Sequence, residues 1–380
     1  MRMMSMSPPW RRIRVVLTLV ALTFAAAGTN AGAQQPAAPP PPAFESYSKF
    51  DFVPGEKIVA FEDFTQVAIG DFPAKWNTNA SGEIVTVAGR PGRWLKLTKG
   101  GAFVPELVPV LPDNFTLEFD LLVPPGFNSS YFFNASIVEL ADVNQIQPWQ
   151  SSDNRFTLVS WPAGSPTWQT WAEQRLQGVS TATVRADTKA PGKDGRPVHI
   201  ALARQGARVR VYVNEEKAWD VPRAMLPAAK YNAILFFVPN VDAGAEYFVG
   251  NVRLAVGAPD TRNKLLTQGK WVTNGILFDV NSDRIKGESY GTLKEIAGVL
   301  TENADLKVRI VGHTDADGEA ASNLDLSRRR AAAVKAALVT TFTIDAARMD
   351  TDGKGENEPA DKNDSATGKA NNRRVEFVKQ

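Results

Sequence analysis

The sequence predicts a multidomain chain: an all-β antiparallel sandwich followed by a small α+β unit of order β-α-β-α-β. Three observations carry this. The chain has 380 residues, more than one ordinary core accommodates. Between about Phe44 and Gly257 several short runs place apolar residues at every second position, the period of a strand with one buried face. Beyond Gly257-Ala258-Pro259 the period lengthens to that of amphipathic helices set between short strands.

Taken in order, residues 1–33 read as an export signal. Arg11, Arg12 and Arg14 precede an apolar run from Val15 to Ala27, and Ala31-Gly32-Ala33 supplies a small-residue cleavage site. The run is short for a membrane span. Residues 34–43 are proline-rich and predict an extended linker. In the first domain, 44–257, Phe115, Leu117, Phe119 and Leu121 alternate with Thr116, Glu118 and Asp120. Val209, Val211 and Val213 alternate likewise, between turn signals at Gln205-Gly206 and Asn214-Glu215. Ile234, Phe236 and Val238 repeat the pattern, as do Val252, Leu254 and Val256.

Residues 258–269 read as a junction, and 270–380 as the second domain. There Ile276 and Phe278 predict a strand, and Asp279-Val280-Asn281-Ser282 a polar loop. Tyr290, Leu293, Ile296, Ala297 and Leu300 fall at helical spacing. A second strand through Val308 and Ile310 ends at Gly312-His313-Thr314-Asp315. Ala331, Val334 and Leu338 mark a second helix, and a closing strand runs from about Arg374 to Val378. Gly353-Lys354-Gly355 is too short for a phosphate loop and reads as a turn.

Composition removes several function classes. A net charge of +2 is too small for a nucleic-acid binder. The absence of cysteine excludes disulfides, zinc ribbons and thiol nucleophiles, and two histidines cannot build a histidine metal cluster. Asp315-Ala316-Asp317-Gly318 brushes against a calcium loop, but the register puts His313 and Leu324 where carboxylates are needed. His199 lies in a β-like run and reads as structural. No cofactor is expected.

The second domain carries Ile276-Leu277-Phe278-Asp279 with Asn281-Ser282, Gly312-His313-Thr314-Asp315 with Gly318, Asn323, Leu326-Ser327 and Arg330-Ala331, and Asn371-Asn372-Arg373-Arg374-Val375-Glu376. Through these motifs it resembles the OmpA-like peptidoglycan-binding family over about Trp271 to Lys379. The resemblance implies that Asp315 and Arg330 clamp the free end of meso-diaminopimelate in a peptidoglycan stem peptide. The chemistry suits that target: a carboxylate accepts from the ammonium, and a guanidinium forks onto the carboxylate. Thr314 belongs to the same motif. Asn281 and Asn323 match polar positions lining the family's pocket, and Arg374 either orients the site or pairs with a surface carboxylate. The blander reading has Asp315 capping a turn and Arg330 balancing Asp325 across a helix face.

The first domain looks like a concanavalin- or laminin-G-like jelly roll over roughly 57–256, through Phe61-Glu62-Asp63-Phe64, Gly70, Pro73-Ala74-Lys75-Trp76 and the run from Val209 to Val221. Trp149, Trp161, Trp168 and Trp171 crowd one segment; core packing is preferred there to a sugar-stacking platform. A glycan-cleaving enzyme would draw on Glu139, Asp153 and Glu173, though one sequence sets no two of them face to face. An outer-membrane barrel is disfavoured by Arg208-Val209-Arg210 and Glu215-Glu216-Lys217 in or beside candidate strands. The expectation is therefore a non-catalytic periplasmic protein, wall-associated with outer-membrane association left open, that tethers a β-sandwich to peptidoglycan. A glycan or an envelope protein is the expected partner of the sandwich.

Overall fold

The computed structural model describes residues 50–129, 131–142, 154–161, 168–176, 179–188, 194–227, 229–257 and 261–380. The expected signal and proline-rich linker lie outside these residues, as do Trp149 and Asp153. The side chains of Trp161, Trp168 and Trp171 likewise lie outside what is described.

Two large antiparallel sheets occupy the first region. One runs in the order β13 (Glu216–Val221), β12 (Arg208–Val213), β11 (Val198–Gln205), β6 (Asn114–Leu122), β15 (Tyr247–Val256), β4 (Arg90–Lys99) and β3 (Ser81–Val87), with β1 (Lys57–Glu62) also pairing β15. The other runs β10 (Val179–Thr188), β9 (Trp168–Leu176), β8 (Arg155–Trp161), β7 (Phe133–Val138), β14 (Ala233–Val238), β5 (Gly101–Pro105) and β2 (Trp76–Thr78). Alternate residues from both sheets enter one hydrophobic cluster; Leu117, Phe119 and Leu121 meet Phe133 and Phe236 there. Both turn signals sit between paired strands, and Asn214 takes the left-handed backbone (φ 52°) that such a turn favours.

The opposite face of β6 departs from expectation. Alternation assigns Thr116 and Glu118 to solvent, yet they are 6% and 3% exposed. Distant residues cover them: Gly55 N donates to Thr116 Oγ1 (2.9 Å), and Arg253 lies 3.6 Å from Glu118 while its Nη2 donates to the Asn274 carbonyl (3.1 Å). Tyr212 is buried in the same way, under Phe50 and Phe52.

In the second region α1 (Thr261–Thr267) leads into β16 (Lys270–Thr273). Then come α2 (Tyr290–Glu302), β17 (Val308–His313), α3 (Ala320–Phe342), β18 (Met349–Gly355), α4 (Ala366–Asn372) and β19 (Val375–Lys379). The sheet order is β16-β19-β17-β18, antiparallel except for the parallel β17–β18 pair. Leu293, Ile296, Leu300, Val334 and Leu338 pack with Ile310 and Phe377 in one core.

Three expectations are corrected here. The first strand is Lys270–Thr273 rather than Ile276–Phe278, where Phe278 makes only an isolated bridge to Ile285. The junction contains a helix whose Leu265 enters the second core. Gly353-Lys354-Gly355 ends a strand, not a turn, because α3 lies directly on it. A Cβ on Gly353 would come within 2.4 Å of the Arg328 nitrogen, and one on Gly312 within 2.2 Å of the Ser327 carbonyl oxygen. Where α3 crosses it the strand therefore carries glycine, and Met349-Asp350-Thr351-Asp352-Gly353-Lys354-Gly355 shows no periodic apolar signal.

The two regions are joined by α4. The Asn371 side chain accepts from Ile58 N (3.2 Å) and donates to Ile58 O (3.0 Å), and Thr367 Oγ1 accepts from Phe61 N (3.0 Å). Lys264 pairs with Glu56 at 2.6 Å.

Candidate functional site

The loop that follows β17 carries Thr314 and Asp315. Its backbone is tied down at Thr314, whose nitrogen donates to the Gly355 carbonyl (2.9 Å). Asn323, in the first turns of α3, donates to the carbonyls of Asp315 (3.3 Å) and Asp317 (3.1 Å) and to Glu356 Oε2 (2.6 Å). Lys369 neutralises Asp317 at 2.7 Å. So Asn323 serves the loop as scaffold, and Asp317 is already spoken for. Thr314 is buried, and its hydroxyl has no hydrogen-bond partner among the described residues.

Asp315 is held on both oxygens. One accepts from the Asp317 amide (3.2 Å), a turn cap, and the other is ion-paired with Arg373. Arg373 was not singled out from the sequence, where attention fell on Arg374. The signal was present: in an Asn-Arg-Arg run leading into a strand, successive side chains diverge, and only one can face a given site. Arg374 takes the other direction. It is 7% exposed and bonds Glu376 through Nε (2.9 Å) and Nη2 (2.8 Å), within a cluster that includes Lys270 (2.6 Å) and His313 (3.6 Å). Its carboxylate partner is thus buried rather than on the surface. Burial pushes the Glu376 carboxyl up, but His313, Lys270 and Arg374 outweigh this and hold it at about 2.

Arg330 projects from α3 toward the loop at 279–282. Its Nε donates to the Ser282 carbonyl (3.0 Å), and its guanidinium lies 4.8 Å from the centre of the Phe278 ring. Asp325 is matched instead by Arg329, at 2.8 Å, so the helix-face balance belongs to the neighbouring residue. Burial, then Arg373 nearby, push Arg330 down to about 10, while Asp315 pulls the other way. At neutral pH it is a half-buried cation short of counter-charge. Asn281 is exposed in the same loop with a left-handed backbone (φ 53°).

Arg330 and Arg373 line a cavity of about 310 Å³ together with Phe278 and Val280. The arrangement brings Asp315, Arg373 and Arg330 into one electrostatic set, with Thr314 and Asn323 behind Asp315 and Asn281 at the loop. Arg374 borders the cavity but is committed to Glu376. A polar group carrying a carboxylate would supply what Arg330 lacks.

Comparison with known proteins matches residues 277–373 to the OmpA family. A probable lipoprotein of Escherichia coli, YiaD, is 41% identical over 105 residues, 28% of this chain and 48% of that protein. Outer membrane porin F of Pseudomonas aeruginosa is 37% identical over 101 residues, 27% of this chain and 29% of that one. The chain thus spans about half or less of these relatives' lengths. Among solved structures, the peptidoglycan-associated lipoprotein of Burkholderia pseudomallei aligns at 26% identity over 32% of this chain and 98% of that one, with a TM-score of 0.27.

Proposed function

We propose, from the premise that residues 277–373 are an OmpA family domain, that this chain is a non-catalytic cell-envelope protein that binds the meso-diaminopimelate stem peptide of peptidoglycan. Asp315 takes the ammonium of the diaminopimelate end and Arg330 its carboxylate. Arg373 holds Asp315 in place and adds a second cation. The observation that carries the reading is Arg330: a half-buried guanidinium with a ring face and one carbonyl, at a cavity wall beside the Asp315–Arg373 pair. A ligand carboxylate would complete its bonding, and charge-assisted hydrogen bonds contribute about 1.5–3 kcal/mol each. Two such contacts make a weak site, which repetition of the stem along the wall converts into firm attachment. The names of the relatives, which include an outer-membrane lipoprotein and porins, support a place in the cell envelope; in this reading the chain meets the wall from the periplasmic side. In this reading the 44–257 region is a sandwich module that the second domain holds at the wall.

The test is sedimentation of the full chain with purified sacculi. Wild type co-sediments; Asp315→Ala and Arg330→Ala stay in the supernatant. Walls with lysine in the third stem position bind poorly, since lysine lacks the second carboxylate. Equal binding to both wall types would overturn the clamp.

A further inference from the structure

The cavity that Arg330 enters has a second wall, and it belongs to the first region. His199 on β11 stands opposite Asp120 on β6, and Glu118 lies two residues along β6 on the same face. Next to them β15 shifts register between Gly250 and Arg253, with Asn251 in the left-handed region (φ 51°). A bulge re-aims the side chains around it. Here Asn251 donates to Asp120 (2.7 Å), and Arg253 comes within 3.6 Å of Glu118 while reaching across to the Asn274 carbonyl. His199 closes the set, with Nδ1 2.8 Å from Asp120 and Nε2 3.5 Å from Glu118.

This wall is balanced in charge but not in hydrogen bonding. Among the described residues Glu118 Oε1, His199 Nε2 and Arg253 Nε are buried with no hydrogen bond of ordinary length, their mutual ion-pair contacts standing at 3.5 and 3.6 Å. Across the cavity the same holds for both ring nitrogens of His313 and for Arg374 Nη1. All five residues line the one cavity. Buried polar atoms are nearly always satisfied, so their gathering around a single space marks it as built for polar matter. Phe61, at the rim, lies 5.8 Å from the Arg373 guanidinium and brings an apolar surface of the first region to the site.

We propose that the first region is half of the binding site: Glu118, His199 and Arg253 hydrogen-bond uncharged amide or hydroxyl groups of the ligand whose zwitterionic end is gripped by Asp315 and Arg330. This deepens the function proposed above and rests on it. The charge balance selects the chemistry. Two carboxylates matched by an imidazolium and a guanidinium gain little from another net charge, yet they still present an unsatisfied acceptor beside unsatisfied donors. Neutral groups that both donate and accept fit that surface. In peptidoglycan they have two sources, the amides of the stem peptide and the hydroxyl and acetamido groups of the glycan. Asn251 is a positioning residue, holding Asp120 and through it His199.

Calorimetric titration of the full chain with three probes separates the possibilities: free meso-diaminopimelate, the stem tripeptide ending in it, and the disaccharide-tripeptide. Wild type should bind the larger probes about ten-fold more tightly than the free amino acid, as one or two added hydrogen bonds provide. A rise already present with the tripeptide assigns the amides; a rise only with the disaccharide assigns the sugar. Glu118→Gln and Asn251→Gly should lose the rise while binding the free amino acid within about two-fold of wild type. Asn251→Gly keeps the left-handed backbone and carries the comparison if Glu118→Gln fails to fold. Arg330→Ala should lose all three probes. If all three bind wild type equally, or both variants keep the rise, the second wall is refuted and the clamp stands. If wild type binds none of them, the clamp fails and takes the second wall with it.

Discussion

On the sheet side of the cavity, Glu118 and Asp120 face His199 and Arg253, cation for anion. On the α3 side, Arg330 has an aromatic ring and a carbonyl, and Asp315, the carboxylate that acts on it most, is already paired with Arg373. Both places bury charge, with opposite consequences. A matched set is destabilised when one member is removed, because the others are left buried and unpaired. An unmatched guanidinium is itself a cost, which a ligand can relieve and a neutral substitution can remove. The first arrangement holds its wall together in charge and has only hydrogen bonds left to offer, and the second is poised for a carboxylate to arrive.

The comparison can be broken by mutation. Glu118→Ala should lower unfolding free energy by about 3–5 kcal/mol, since Arg253 and His199 lose their partner in a buried setting. Denaturant titration measures it; a loss below about 1 kcal/mol would mean the set is solvated rather than matched. Gly312→Ala should cost about 1–3 kcal/mol by pushing α3 off β17, with binding by Arg330 weakened as a result. Arg330→Met should change stability by about 1 kcal/mol or less while removing attachment to sacculi, so that melting and sedimentation part company.

Proton linkage sharpens the same contrast. Burial alone would lower the His199 imidazole, but Asp120 and Glu118 overcome this and raise it from 6.5 to about 10. Its contribution is therefore complete below about pH 6.5 and is lost as pH rises toward 10. The drop in unfolding free energy over that window should be flatter in His199→Gln. Glu376, held at about 2, works at the other end: its contribution is present above 4.5 and is lost as pH falls toward 2. Acid unfolding should begin at higher pH in Lys270→Met, which removes one of its partners.

Much of the second region could be read from the chain alone, because α2 and α3 bury their apolar residues against the sheet at regular spacing. Asp315 and Arg330 were found through the motif they share with a family. Arg373 was not, since a pair of adjacent arginines looks symmetrical until a strand sends them apart. Neither β18 nor the buried outer face of β6 was legible. The first hides because glycines under a helix have no hydrophobic period. The second hides because alternation reports which residues are polar, not what later covers them; Asn274 lies more than 150 positions beyond Glu118 in the chain. Local pattern finds elements, and only the fold shows which polar faces meet.

The grip of Asn371 on both main-chain groups of Ile58 has a mechanical consequence. It occupies the outer rim of β1, the place where a foreign strand would otherwise add itself to the sheet. Cutting the chain between the regions would uncover that rim together with the ionic face of β6, so the front fragment on its own should stick to copies of itself. The second region, in this sense, doubles as a chaperoning cover for the first.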